Sequence, residues 1–173
     1  MYTQKRMKIV DSLLDLSGIG SGRVKLRWVS AAEGQVFADY VKELSAEIAA
    51  LGPFDASKYK IELAAVDAVL DSQRTRWLTG MDRQITERGN VYGRKLDQAE
   101  YGQLLKTVCE SEYQKALVLE VLRSGPQSVR EIAKASGLPV YTVSQRLTDV
   151  EKAGQAELHG YEGTTPKFVR LAA

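Results

Sequence analysis

Apolar residues recur at helical spacing along most of the chain. Within residues 3–17, Met7, Val10 and Leu14, with Leu13 beside them, fall three and four apart and predict one apolar face of a helix. Gly18, Gly20 and Gly22 then stop it. The spacing changes at Val24-Lys25-Leu26-Arg27-Trp28-Val29, which alternates and is rich in β-branched and aromatic residues, so it predicts a short strand. Ser30 with Glu33 has the form of a capping box. The helix it predicts carries Phe37, Tyr40, Val41, Leu44, Ile48 and Leu51 on one side and ends at Gly52-Pro53.

This opening is α–β–α with no second strand nearby. A lone strand cannot pair its own backbone groups, and a stable sheet needs neighbours. Either the segment pairs with another chain, or it pairs with a second copy of this one, or it is not a strand. Residues 57–88 predict a long helix with Leu63, Val66, Leu70, Trp77, Met81 and Ile85 on its apolar side, ended by Gly89-Asn90. Asp97 with Glu100 predicts the cap of another helix, which carries Tyr101, Leu104, Leu105 and Val108.

From Tyr113 onward the pattern predicts three helices and a hairpin. Tyr113, Ala116, Leu117, Leu119 and Val121 mark the first helix. Ser128 with Glu131 caps the second, and Val140 to Ala153 is the third. Ala133, Gly137 and Val143 have helix-turn-helix spacing: a small residue where the helices approach, a glycine for the tight turn and an apolar plug between helices. Pro139 fits the first turn of the third helix, where its missing N–H costs nothing. Ala156–His159 and Lys167–Leu171 predict two strands joined by a turn over Gly160–Pro166. The expected fold class is therefore mainly α with a little β: a partial α/β unit over 1–53, a helical connector over 54–112 and a winged helix over 113–173.

Composition narrows the chemistry. The chain has 173 residues with one cysteine, Cys109, and one histidine, His159. That set makes no intrachain disulfide, zinc site or iron–sulfur cage, so no cofactor is expected in this chain. Cys109 reads as a packed residue or a reactive thiol, and a single histidine forms no triad. Gly18-Ile19-Gly20-Ser21-Gly22 follows a helix and lacks the Lys-Ser/Thr of a phosphate loop, so it reads as a helix stop. The stretch from Arg83 to Lys95 mixes basic residues with Tyr92 and reads as a solvated connector or a nucleic-acid contact. No apolar run reaches the roughly 18 residues of a membrane span, and the start has no signal-peptide core, so a cytoplasmic location is expected.

The net charge is +2, too balanced to mark a nucleic-acid binder by itself. A DNA-binding winged helix would place Tyr141, Thr142, Ser144, Gln145 and Arg146 at the groove and Lys152 and Lys167 on phosphates. Asp149 and Glu151 on the same helix oppose phosphate approach. Winged helices also dock proteins, and both uses stay open at this point.

Three blocks of text carry a family resemblance: Tyr2-Thr3-Gln4-Lys5-Arg6, then Arg23-Val24-Lys25-Leu26-Arg27-Trp28-Val29-Ser30-Ala31-Ala32-Glu33-Gly34, then Leu51-Gly52-Pro53. Together they resemble the C-terminal part of the delta (iron–sulfur) subunit of methyl-viologen-reducing hydrogenase. The resemblance implies a role in a redox complex, where this subunit carries electrons between a hydrogenase or formate dehydrogenase and a flavoprotein like the flavin-bearing subunit of heterodisulfide reductase. It implies cluster cysteines in an earlier half of the domain, which this sequence lacks. The chain then reads as a split or start-truncated form, or as a cluster-free remnant that docks to the same partner. On that basis Arg27, Trp28, Ser30, Glu33 and Gly34 are the expected partner-facing residues.

Two functions compete. The first is an accessory or docking subunit of a hydrogenase/heterodisulfide-reductase-like complex, partnered by a flavin/iron–sulfur protein or by self-association through the lone strand. The second is a winged-helix transcription regulator. Under either one the chain alone is expected to catalyse nothing.

Overall fold

A computed structural model of the chain describes residues 2–171. The architecture is mainly α with a single two-stranded antiparallel sheet among the described residues. Internal contacts divide the chain between Tyr59 and Lys60 into two units.

The first unit opens with α1 (Tyr2–Leu16), which buries Ile9, Leu13 and Leu14. The helix stops where predicted. Gly18 and Gly20 both take positive φ, and the Asp15 carboxylate accepts from the Ser21 N–H at 2.8 Å to seat a 3-10 turn over Ser21–Arg23. The chain then runs without regular structure from Val24 to Ser30. The predicted strand is thus corrected: Val24 is extended, but among the described residues this segment joins no sheet. A ladder requires a neighbouring strand, and the alternation of side chains supplies none. Ser30 and Glu33 differ from expectation as well. The Glu33 carboxylate accepts from the Ser30 N–H at 2.8 Å, yet this closes a turn, and α2 (Gly34–Leu51) begins after it with Glu33 at its N-cap. None of the 18 residues of α2 is buried.

In the second unit the predicted helix over 57–88 is broken. It becomes a 3-10 turn over Ala56–Tyr59, which belongs to the first unit, then α3 (Lys60–Asp71), α4 (Gln73–Gly80) and a π turn over Gln84–Arg88. Ser72 is the cause. Its hydroxyl accepts from the Thr75 N–H at 3.2 Å and donates to Thr75 Oγ1 at 2.9 Å, so it caps a new helix in the middle of the expected one. The break also resets the phase of the apolar face. Ala65, Val66, Val69 and Leu78 are buried, whereas Leu70 and Trp77 are exposed.

α5 (Gln98–Val121) starts on a complete capping box made by Asp97 and Glu100. It runs unbroken for 24 residues, past the junction expected near residue 112, because no glycine or proline interrupts it after Gly102. Its first half packs Tyr101 and Val108 with Leu78, and the Tyr101 hydroxyl donates to the Leu78 carbonyl at 3.0 Å. Burial pushes that phenol up to about 12.

The second half of α5, with α6 (Val129–Ser136) and α7 (Val140–Lys152), encloses the main core. Val118, Val121, Leu122, Ile132, Ala133, Val143, Leu147, Val150 and Ala156 form it. Ala133 and Val143 sit inside as their spacing predicts, and Gly137 is left-handed at φ 70°. Pro139 serves as the N-cap of α7, one position before the expected first turn. β1 (Ala156–Glu162) pairs with β2 (Thr165–Arg170) through a two-residue loop, Gly163-Thr164. The strands therefore extend through most of the turn predicted over Gly160–Pro166. Gly163, at φ 61°, supplies the positive angle that a two-residue hairpin loop demands at its first position. A bridge from Gln127 to Phe168 adds a short third element to the hairpin edge.

Candidate functional site

The segment Val24–Ser30 is held at its root by Arg23. The guanidinium donates to the carbonyls of Gly52 at 3.1 Å and Leu51 at 3.2 Å, capping the end of α2, and lies 5.3 Å over the ring of Phe54. Phe54 stacks in turn on Tyr59 at 5.6 Å. The residues beyond Arg23 retain the period of two that extended backbone imposes. Lys25, Arg27 and Val29 line an open groove of about 230 Å3 with Phe37, Tyr40, Val41, Glu43, Leu44 and Glu47 of α2.

Charged side chains bridge this groove. Lys25 lies 3.5 Å from Glu47 and Arg27 lies 4.0 Å from Glu43, while the Arg27 guanidinium sits 5.5 Å over Tyr40. These pairs are half exposed, so water and salt screen them, and their main effect is to orient the segment. Within the groove Phe37 is 61% exposed and Val41 is exposed as well. Trp28, 62% exposed, and Val36 are bare outside its lining. Arg27, Trp28, Ser30, Glu33 and Gly34 are all at the surface. Among the described residues the backbone from Lys25 to Val29 bridges to no other strand. A backbone without a ladder beside bare aromatic side chains can recruit a second chain by strand addition and by burial of apolar area.

The candidate contacts of the C-terminal unit are placed differently. Tyr141, Ser144, Gln145 and Lys152 are exposed on α7, and Gln145 donates to the Tyr141 hydroxyl at 2.9 Å. Thr142 is half-buried. Arg146 turns toward its own chain, bonding Ser111 at 3.0 Å and Asp149 at 2.7 Å. Lys167 is clamped by Glu131 at 2.7 Å and Glu162 at 2.9 Å. Glu131 also accepts from the Ser128 N–H and hydroxyl, and these bonds hold its carboxyl down near 2, with Lys167 the largest influence. This clamp ties the start of α6 to the hairpin. Sequence spacing does not reveal it, because its three residues lie 36 and 5 apart in different elements.

Comparison with known proteins singles out the first unit. Residues 1–52 match the family model of the methyl-viologen-reducing hydrogenase delta subunit. Over 50 residues the chain is 44% identical to the iron–sulfur subunit of the F420-non-reducing hydrogenase of Archaeoglobus profundus. That match covers 29% of this chain and 36% of the relative. No solved structure matches. The relative's name raises the question of an iron–sulfur cluster here. Such clusters are held by several thiolates. This chain offers Cys109 alone, outside the matched segment and fully buried, with burial pushing its thiol up to about 11. The residues present do not fit a cluster.

Among the described residues no helix is long and apolar enough to cross a membrane.

Proposed function

We propose that this chain is an accessory, docking subunit of a hydrogenase-type redox complex, carrying no cluster ligands of its own. Its binding face is the groove between Val24–Ser30 and α2, with Arg27, Trp28, Ser30, Glu33 and Gly34 at its partner-facing edge. The partner is a flavin/iron–sulfur protein resembling the flavin-bearing subunit of heterodisulfide reductase. One observation carries the reading: the segment that matches the hydrogenase family is also the segment with an unpaired extended backbone and bare aromatic side chains. The C-terminal unit, three helices and a hairpin, is read as a winged helix that docks protein. Of its three candidate DNA-contacting cations, Arg146 and Lys167 are already bonded within the chain, which leaves Lys152 for phosphate.

The test is reconstitution of the purified chain with a purified flavoprotein of that class, read by co-elution and by sedimentation. The account expects a complex that Trp28→Ala with Phe37→Ala weakens at least about tenfold, as loss of aromatic anchors does. A chain that stays monomeric beside the flavoprotein, or that self-associates through the same face instead, overturns it. A mobility shift on the gene's own promoter at low salt would overturn the protein-docking reading of the C-terminal unit.

A further inference from the structure

The turn after the π turn is built in a way that its position in a connector does not require. Asn90 organises it. The Asn90 N–H donates to the Arg94 carbonyl at 2.9 Å, and the Gly93 N–H returns to the Asn90 carbonyl at 2.9 Å. Asn90 Oδ1 accepts from the N–H groups of Tyr92 at 2.9 Å and Arg94 at 3.0 Å. Gln84 Nε2 fixes the entry by donating to the Gly89 carbonyl at 2.7 Å, and the Leu96 N–H fixes the exit on the Ile85 carbonyl at 3.1 Å. Gly89 is buried at φ 90°, and a Cβ there would stand 3.1 Å from the Arg94 oxygen and 3.2 Å from Gly93. Only glycine closes this loop.

The loop spends this order on display. Val91 is 94% exposed and Tyr92 91% exposed, so neither side chain packs on the protein at all. Around them Arg88, Arg94 and Lys95 are exposed, and Glu87, the acidic residue of the stretch, is bonded to Arg83 at 3.1 Å. A hydrogen-bonded loop that presents a valine and a tyrosine flanked in sequence by cations has already lost the freedom that binding would otherwise remove. Tyrosine and arginine are the side chains that anchor protein interfaces. An aliphatic Val91 offers no face for base stacking, which argues against single-stranded nucleic acid. Two apolar side chains are too few to hold a bilayer surface.

We propose that residues 89–94 form a preorganised docking knob, whose Val91 and Tyr92 enter an apolar pocket rimmed by carboxylates on a protein partner. This inference lies outside the family-matched segment and does not rest on it.

The full chain carrying Tyr92→p-benzoylphenylalanine, produced in its own cells, provides the test. After irradiation, mass spectrometry locates the attachment site. The knob predicts one dominant protein adduct, at an apolar peptide flanked by Asp or Glu. Arg88→Glu with Arg94→Glu should cut its yield roughly tenfold or more through like-charge repulsion, and Gly89→Ala should cut it by opening the loop. Val91→Ser with Tyr92→Ser should leave the thermal midpoint of the isolated chain unchanged, since neither side chain packs. No adduct, an adduct with nucleic acid or lipid, or a yield indifferent to charge reversal overturns the proposal. So does a fallen thermal midpoint in the double-serine variant.

Discussion

The two ends of the chain treat apolar surface in opposite ways. Around α6 and α7 the large side chains of the inner face are covered, and polar groups tie the start of α6 to the hairpin. Val143, Val150 and Ile132 are fully buried, Ser128 and Glu131 close the start of α6, and Lys167 joins that corner to the hairpin. The first unit leaves Trp28 and Phe37 in water and its Lys25–Val29 backbone without a ladder among the described residues. Both regions are patterned with comparable clarity in the sequence. The difference teaches that apolar spacing specifies which side chains share a face, while closure of that face depends on what is present to cover it. A finished core stabilises its own fold; an open one is available to another molecule.

That contrast can be broken most forcefully in the C-terminal core. Leu147→Ala, in a site where the side chain is almost wholly buried, is expected to cost about 2–5 kcal/mol in denaturant unfolding. A cost near zero would mean that this core is as open as the groove of the first unit. Next in size is Ser128→Ala, which removes the hydroxyl that accepts from the Glu131 N–H and leaves the reciprocal bond from the backbone N–H of residue 128 in place. It should cost about 1 kcal/mol, read as a lower thermal midpoint with the hairpin melting together with the helices.

The Glu131 clamp gives a pH signature. Its carboxyl is held near 2 against an ordinary 4.5, so its stabilisation is fully present above about pH 4.5 and is lost as pH falls toward 2. Glu131→Gln should flatten the stability profile across that window. Lys167→Met should move the Glu131 titration, followed by carboxyl NMR, upward toward the ordinary value. At the small end stand Phe37→Ala and Trp28→Ala. Both side chains are largely solvated, so each should change the stability of the isolated chain by less than about 0.5 kcal/mol. A larger loss would show that the face is already closed within the chain.

Much of the second unit was legible because its signals are local. Ala133, Gly137 and Val143 each have one steric role at a fixed offset, and the Asp97–Glu100 and Ser128–Glu131 boxes formed as their residue types dictate. The Ser72 cap was legible in principle, as a serine ahead of Thr75, but was hidden under a continuous apolar period. α5 shows the converse: a change of side-chain character near residue 112 predicts a boundary, yet no glycine or proline follows Gly102 within the helix and it runs on. At Val24–Val29 the alternation correctly indicated two side-chain faces, because Lys25, Arg27 and Val29 do line one groove. Pairing could not be read, since a strand is defined by its neighbour and not by its own residues. The knob at Val91 and Tyr92 depends on Asn90 bonding two residues ahead and four ahead, which a scan for basic and aromatic residues does not detect.

Hydrogen exchange of the backbone amides from Lys25 to Val29 tests the central claim most directly, first in the isolated chain and then with the proposed flavoprotein added. The account predicts exchange near the unprotected rate in the isolated chain, beside strongly protected amides in α7, and marked slowing at Lys25–Val29 in the complex. Strong protection of those amides in the isolated monomer, or exchange there that stays fast after the partner has bound, would contradict it.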